Sequence, residues 1–114
     1  MMHNAMMHRA STLLFAGAIA FAGSSLYAQK GDAAKGKEVF DQCSVCHNSD
    51  STEVKVGPGL KGLFKRDKMS TTGKPTTDAN VIMKINEGGN GMPAYGDVLS
   101  AEEKTNLIAF LKTL

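Results

Sequence analysis

Apolar residues recur at helical spacing in four stretches of this chain, separated by polar, glycine-rich or threonine-rich segments with no period. In the first stretch Ala33, Gly36, Phe40, Cys43 and His47 follow at steps of three and four, so a helix opened by Asp32 as N-cap carries all five on one stripe. Leu60, Leu63 and Phe64 predict a short amphipathic helix ending near Arg66. Val81, Ile82 and Ile85 share a face of a third helix, with Asp78 its expected cap and Met83 off that face. Leu107, Phe110, Leu111 and Leu114 mark a fourth. That last helix starts at Ser100-Ala101-Glu102-Glu103, a capping box with Ser100 as N-cap and Glu103 reaching back. Glu102 and Glu103 at its start and Lys112 at its end also suit the helix dipole.

The intervening segments have their own chemistry. Asn48 to Val56 and Asp67 to Asn80 read as loops, and Met69 stands in the second with no apolar neighbours in sequence. Gly57-Pro58-Gly59 forces a turn, and the third helix stops at Gly88-Gly89. Asn90 to Gly96 is an irregular, glycine-flanked segment centred on Met92, whose backbone Pro93 restricts to extended conformations. Gly36 is the exception inside a helix. A glycine there costs about 1 kcal/mol relative to alanine, so either it is a tolerated weak spot or another helix backbone comes close to it. With Phe40 beside it and Leu107 and Phe110 on the last helix, the expectation is that the two terminal helices cross at Gly36. The fold class that follows is all-α, one domain of three to four short helices, with no internal repeat.

Composition changes this picture at the N-terminus. Met1 to Arg9 carries one firm positive charge, Leu13 to Ala22 is an apolar run too short to span a bilayer, and Gly23-Ser24-Ser25 breaks it. Leu26-Tyr27-Ala28 then precedes the polar Gln29-Lys30-Gly31. This three-part layout is that of a secretory signal peptide over residues 1–28, leaving a domain over 29–114. An uncleaved anchor is the alternative, and Ala20-Phe21-Ala22 fits the small-x-small cleavage rule more literally than Ala28 does. Removing 1–28 takes Arg9 and no acidic residue, so the remainder stays close to neutral. His3, His8 and the first four methionines also go, which leaves His47 as the one histidine and Met69, Met83 and Met92 as the methionines. A domain this small buries a modest fraction of its surface and usually needs a staple.

Cys43-Ser44-Val45-Cys46-His47 supplies the candidate chemistry. Residues i and i+3 of a helix share a face, so both thiols reach the two vinyl groups along one edge of a porphyrin. His47, four residues after Cys43, can then present its imidazole to the iron as proximal ligand. The spacing is that of a c-type haem attachment site. Competing readings are a thioredoxin-like redox pair, which needs a βαβ setting, half a zinc site, which needs four ligands, and a disulfide. Only the haem reading uses the adjacent histidine. A carbonyl near Pro58 could accept from the second nitrogen of His47 and fix its tautomer. A covalent haem would also be the staple, an apolar plate for every helix to pack on.

From residue 31 to 114 the chain resembles a small bacterial class I cytochrome c. Lys35-Gly36-Lys37-Glu38-Val39-Phe40 before the CSVCH run is similar to that family's N-terminal glycine and aromatic. Gly57-Pro58-Gly59-Leu60 resembles its proline segment, Gly91-Met92-Pro93-Ala94-Tyr95 its distal methionine loop, and Leu107-Ile108-Ala109-Phe110-Leu111 its C-terminal helix. The resemblance implies the cytochrome c fold around one covalently bound haem c, attached at Cys43 and Cys46. It implies His47 and Met92 as iron ligands, and Pro58, Leu60 and Tyr95 in the haem pocket. One departure is the absence of tryptophan, so the family's frequent partner of a haem propionate must be replaced; Lys65, Arg66 and Lys74 are the candidates.

With both axial positions filled, the implied function is a soluble periplasmic electron carrier, not an enzyme. A peroxidase or gas sensor needs an open distal side and normally a general base over it, and with Arg66 the only arginine left after export no distal His–Arg pair can be built. A haem subunit of a periplasmic dehydrogenase or oxidase complex is the other alternative. The expected partners are redox proteins (a membrane oxidoreductase, a terminal oxidase or a periplasmic dehydrogenase) met by a monomer without a membrane span. Lys61, Lys65, Arg66 and Lys68 form a cationic cluster that either steers an acidic partner or is a solvated face. Nothing supports nucleic-acid binding.

Overall fold

The computed structural model describes residues 30–114, and the expected signal peptide lies outside them. Three α-helices follow in order: α1 (Ala33–Phe40), α2 (Asp78–Glu87) and α3 (Ala101–Leu111), with a 3₁₀ turn at Leu63–Lys65 between the first two. Among the described residues the only β-type pairings are two isolated bridges, Lys68 with Pro75 and Gly89 with Met92. The all-α expectation holds. No helix of the described residues is long and apolar enough to cross a membrane.

Local chemistry explains where the helices start. The Asp32 carboxylate accepts from the N–H groups of Ala34 and Lys35 at 2.9 and 3.2 Å, capping α1. Both halves of the capping box form at α3: Ser100 Oγ accepts from the Glu103 N–H at 3.1 Å, and Glu103 Oε1 from the Ser100 N–H at 3.0 Å. The cap of α2 is Thr77 and not Asp78. Thr77 is extended, with φ −117° and ψ 158°, and its hydroxyl accepts from the Asn80 N–H. Asp78 has already entered the first turn, where its carboxylate pairs with Lys112 Nζ at 2.8 Å. Both side chains are about half exposed, so this pair contributes only ~0–1 kcal/mol.

Regular helix ends at Phe40, earlier than the apolar stripe suggests, but the winding goes on. The N–H groups of Cys43 and Ser44 return to the Phe40 carbonyl, and those of Cys46 and His47 to the Cys43 carbonyl. The CSVCH run is therefore a series of tight turns held under α1. The amphipathic segment after Leu60 is likewise shorter than expected, a single 3₁₀ turn with Leu63 buried.

The crossing of α1 and α3 is the main packing event. Gly36 is buried, and a Cβ built on it would collide with the Asn106 carbonyl and stand 2.8 Å from Phe110 Cβ. Gly31, just before the Asp32 cap, meets α3 the same way, against the Thr105 carbonyl. A buried amide secures that end, since Asn106 Oδ1 accepts from the Asp32 N–H at 2.8 Å. On the far side of the crossing the Phe40 and Phe110 rings pack with centroids 5.2 Å apart at 50°. Leu107, Ile108 and Leu111 of α3 then complete a core with Leu63, Val81, Ile85 and Leu99.

Gly36→Ala should overpack this contact and lower stability by ~1–3 kcal/mol. The check is chemical denaturation: the midpoint falls while the slope stays unchanged. An unmoved midpoint would mean that the backbones part at no cost.

Candidate functional site

The core does not close on itself. Phe40, Leu63, Leu107 and Leu111 form one wall of a cleft of about 270 Å³, whose rim comes from the loops. All seven site residues expected from the sequence line it: Cys43, Cys46, His47, Pro58, Leu60, Met92 and Tyr95. They arrive from three separate segments, so the convergence is a property of the fold.

The CSVCH turns place Cys43 and Cys46 half-buried at one side as free thiols. Burial, and after it the charge of Cys46, pushes the Cys43 thiol above its ordinary value and so favours the protonated form. No strand flanks the pair, and no group of three or more His, Cys, Asp or Glu side chains gathers among the described residues. The thioredoxin-like and zinc readings therefore find no supporting structure.

His47 is fixed from two directions. Its Nδ1 lies 2.8 Å from the Pro58 carbonyl oxygen. A carbonyl only accepts, so Nδ1 carries the proton and Nε2 keeps its lone pair. Gly57 packs beside that bond: a Cβ there would stand 2.5 Å from Cε1 and 2.9 Å from Nδ1 of the imidazole. The Gly57 N–H also donates to the Cys46 carbonyl at 2.8 Å, tying the segment to the cysteine turns. Gly57 and Gly59 have no left-handed φ. The turn reading of this segment is thus incomplete, because both glycines serve close approach, Gly59 against the Ser51 carbonyl. A glycine beside proline signals a turn first, which hides this second use.

The cations divide differently from the sequence expectation. Arg66 lines the cleft and is half-buried, and its Nη2 donates to the carbonyls of Lys61 at 2.7 Å and Gly59 at 3.3 Å. It therefore does not belong to a solvated face with Lys61, Lys65 and Lys68, which are exposed. Of the three propionate candidates, Lys65 and Lys74 stay off the cleft lining and Arg66 alone is on it.

Met69 is the plainest correction. Expected to stand unsupported in a polar loop, it is 7% exposed, belongs to the core and lines the cleft. The loop closes on itself, with the Met69 N–H donating to the Lys74 carbonyl at 2.8 Å, the Gly73 N–H to the Met69 carbonyl, and the Thr76 N–H to the Asp67 carbonyl. These backbone bonds turn Met69 inward, and side-chain periodicity carries no trace of them. Met92 is half-buried on the same cleft and packs against the core. Met83 is exposed, at the surface as expected.

Two thiols at one edge, an imidazole with its Nε2 free and thioethers on an apolar-walled cleft form the nitrogen and sulfur donor set of a covalently held haem. The comparisons agree. The cytochrome c family model matches residues 33–114. A cytochrome c2 of Blastochloris viridis is 43% identical over 65 residues, a match covering 56% of this chain and 51% of that protein, about half its length. A cytochrome c6 of Rippkaea orientalis is 35% identical over 82 residues, 71% of this chain and 69% of the relative. A cytochrome c of Cochliobolus lunatus is 44% identical over 101 residues, 74% of this chain and 94% of the relative. Among solved structures, cytochrome c6 of the diatom Phaeodactylum tricornutum superposes with a TM-score of 0.57 at 28% identity, covering 73% of this chain and 93% of its own. With the cleft, its donors and these likenesses together, the chain belongs to the cytochrome c family of electron-transfer proteins, whose cofactor is one covalently attached haem c.

Proposed function

We propose that this protein is a soluble, exported one-electron carrier. In this reading Cys43 and Cys46 form the thioether links, His47 is the proximal ligand and Met92 the distal one. The observation that carries it is the His47 imidazole, held by Pro58 and Gly57 with Nε2 left free on the cleft that Met92 also lines. Bound there, the haem supplies a single-electron couple, which His/Met ligation shifts to higher potential. The protein's part is to keep both axial donors in place and water out. The Pro58 carbonyl holds the His47 tautomer, and the apolar wall from Phe40, Leu63 and Leu107 excludes solvent. Leu60 and Tyr95 pack at the rim, and Arg66 is the cation placed to meet a propionate.

Met69 is the competing distal thioether. Its backbone bonds to Lys74 and Gly73 fix it deep in the core, 7% exposed, as a packing side chain. Met92 stands on a glycine-flanked loop that brings sulfur to the cleft without a helix attached. Residues 1–28 serve as a signal peptide, which places the protein in the periplasm with redox proteins as donor and acceptor. The three-part composition of that segment supports this reading.

The intact mass of the exported protein should equal residues 29–114 plus one haem that survives acid–acetone extraction. A mass corresponding to cleavage after Ala22 would move the boundary, and extractable haem would remove the covalent link. Met92→Ala should abolish the far-red sulfur-to-iron charge-transfer band, lower the reduction potential and open the iron to carbon monoxide, while Met69→Ala keeps the band. The reverse pattern would hand the ligand role to Met69. Gly57→Ala, by pushing the imidazole off its place, should lower the potential and weaken haem-linked stability by ~1–3 kcal/mol. Redox titration and thermal melting of the variant check this.

A further inference from the structure

The loop that carries Met92 opens with a run of backbone that favours glycine. Gly88, Gly89, Asn90 and Gly91 have φ of 64°, 113°, 55° and 89°, four consecutive left-handed residues. Asn90 is the only residue other than glycine in that region among those described, and the run has no side chain reaching into the core. Within the loop, Gly89 and Met92 exchange both backbone hydrogen bonds, at 2.9 and 3.1 Å. That small bridge sets where Met92 begins.

Two ammonium groups secure its ends. Lys84 comes from the last turn of α2, and its Nζ donates to the Gly88 carbonyl at 3.1 Å and the Gly89 carbonyl at 3.5 Å. Lys104 comes from α3, and its Nζ donates to the Gly96 carbonyl at 2.8 Å. Both are half-buried, and Lys84 lines the cleft. Hydrogen bonds from a charged donor are stronger than neutral ones, and Lys84 also sits favourably against the helix C-terminus. Between the two, the N–H groups of Tyr95 and Gly96 return to the carbonyls of Ile85 and Asn86 at 2.9 and 3.2 Å.

We infer that Lys84 and Lys104 are positioning residues that clamp the 88–96 loop from two helices and so hold Met92 on the cofactor. The inference rests on Met92 being the distal ligand. Neither lysine touches the cofactor in this role; each acts through the carbonyls it binds. Lys84 matters more, because one of its two carbonyls belongs to Gly89, a member of the Gly89–Met92 bridge, and the other to its neighbour Gly88, whereas Gly96 lies four residues beyond Met92.

The test uses the haem-loaded protein with Lys84→Met, Lys84→Arg, Lys104→Met and Met92→Ala. Hydrogen exchange at the Gly89 and Met92 amides reads the clamp, and the affinity of the ferric protein for imidazole reads whether the thioether stays in place. Lys84→Met should speed exchange at both amides and raise imidazole affinity roughly three- to tenfold. Lys104→Met should do the same more weakly, and Lys84→Arg should restore both toward the parent. Amides at the α1–α3 crossing should be unmoved, which separates a loosened loop from a loosened protein. Unchanged exchange at Gly89 and Met92 in Lys84→Met overturns the clamp. Faster exchange with unchanged imidazole affinity overturns its hold on the ligand. Survival of the charge-transfer band in Met92→Ala instead removes the ligand assignment, and the exchange data then judge the clamp alone.

Discussion

The close approach of two backbones at Gly36 is the constraint on which the rest depends. With no side chain between them, α1 meets the Asn106 carbonyl directly, and Gly31 repeats the contact on the Thr105 carbonyl just before the helix begins. Everything beyond the crossing is placed by it. Phe40 and Phe110 pack with tilted rings on one side, Leu107 and Leu111 face the cleft, and the winding below Phe40 delivers both thiols and His47 to its rim. Close packing resists change at such a point, because neither backbone can give way as a flexible side chain would. A larger residue would tilt one helix against the other and displace the cleft wall and the cysteine turns together.

The two axial candidates are held by different means. His47 is gripped: its Nδ1 bonds Pro58, and Gly57 packs so close to Cε1 and Nδ1 that a Cβ there would collide with the ring, so its orientation follows from fit. Met92 is suspended on a glycine-rich loop whose ends are tied back to α2 and α3. Local opening starts where few apolar contacts and few buried hydrogen bonds oppose it. On that ground the methionine side is the weaker of the two.

What was readable from the sequence divides along a physical line. Features decided within one turn of chain were legible: the Asp32 cap, the Ser100–Glu103 box and the spacing that sets Cys43 beside Cys46. The glycine inside α1 gave away the crossing because it cost helix stability without local benefit. The cap of α2 is ambiguous in the sequence, because Thr77 and Asp78 are both good cap residues and only the backbone tells them apart. The burial of Met69 leaves no mark in the sequence, because a polar loop can close through its own backbone bonds and bury one side chain. Gly57 looked like turn chemistry because nothing local showed that an imidazole ten residues earlier would lie against it.

Arg66 shows how one residue links these levels. Read as sequence it is one more charge in a basic stretch, suited to steering a partner. In the fold its guanidinium is turned inward, binding the carbonyls of Lys61 and Gly59. Gly59 follows Pro58, whose carbonyl orients His47, so Arg66 braces the proline segment one residue beyond that carbonyl. A guanidinium has five donors and these bonds engage one nitrogen of the fork, which leaves others for an anion on the cleft. The same side chain therefore stiffens the proline segment and keeps donors available at the cleft. A lysine at 66 would offer a point charge without the fixed fork and could not reproduce both contacts with the same geometry.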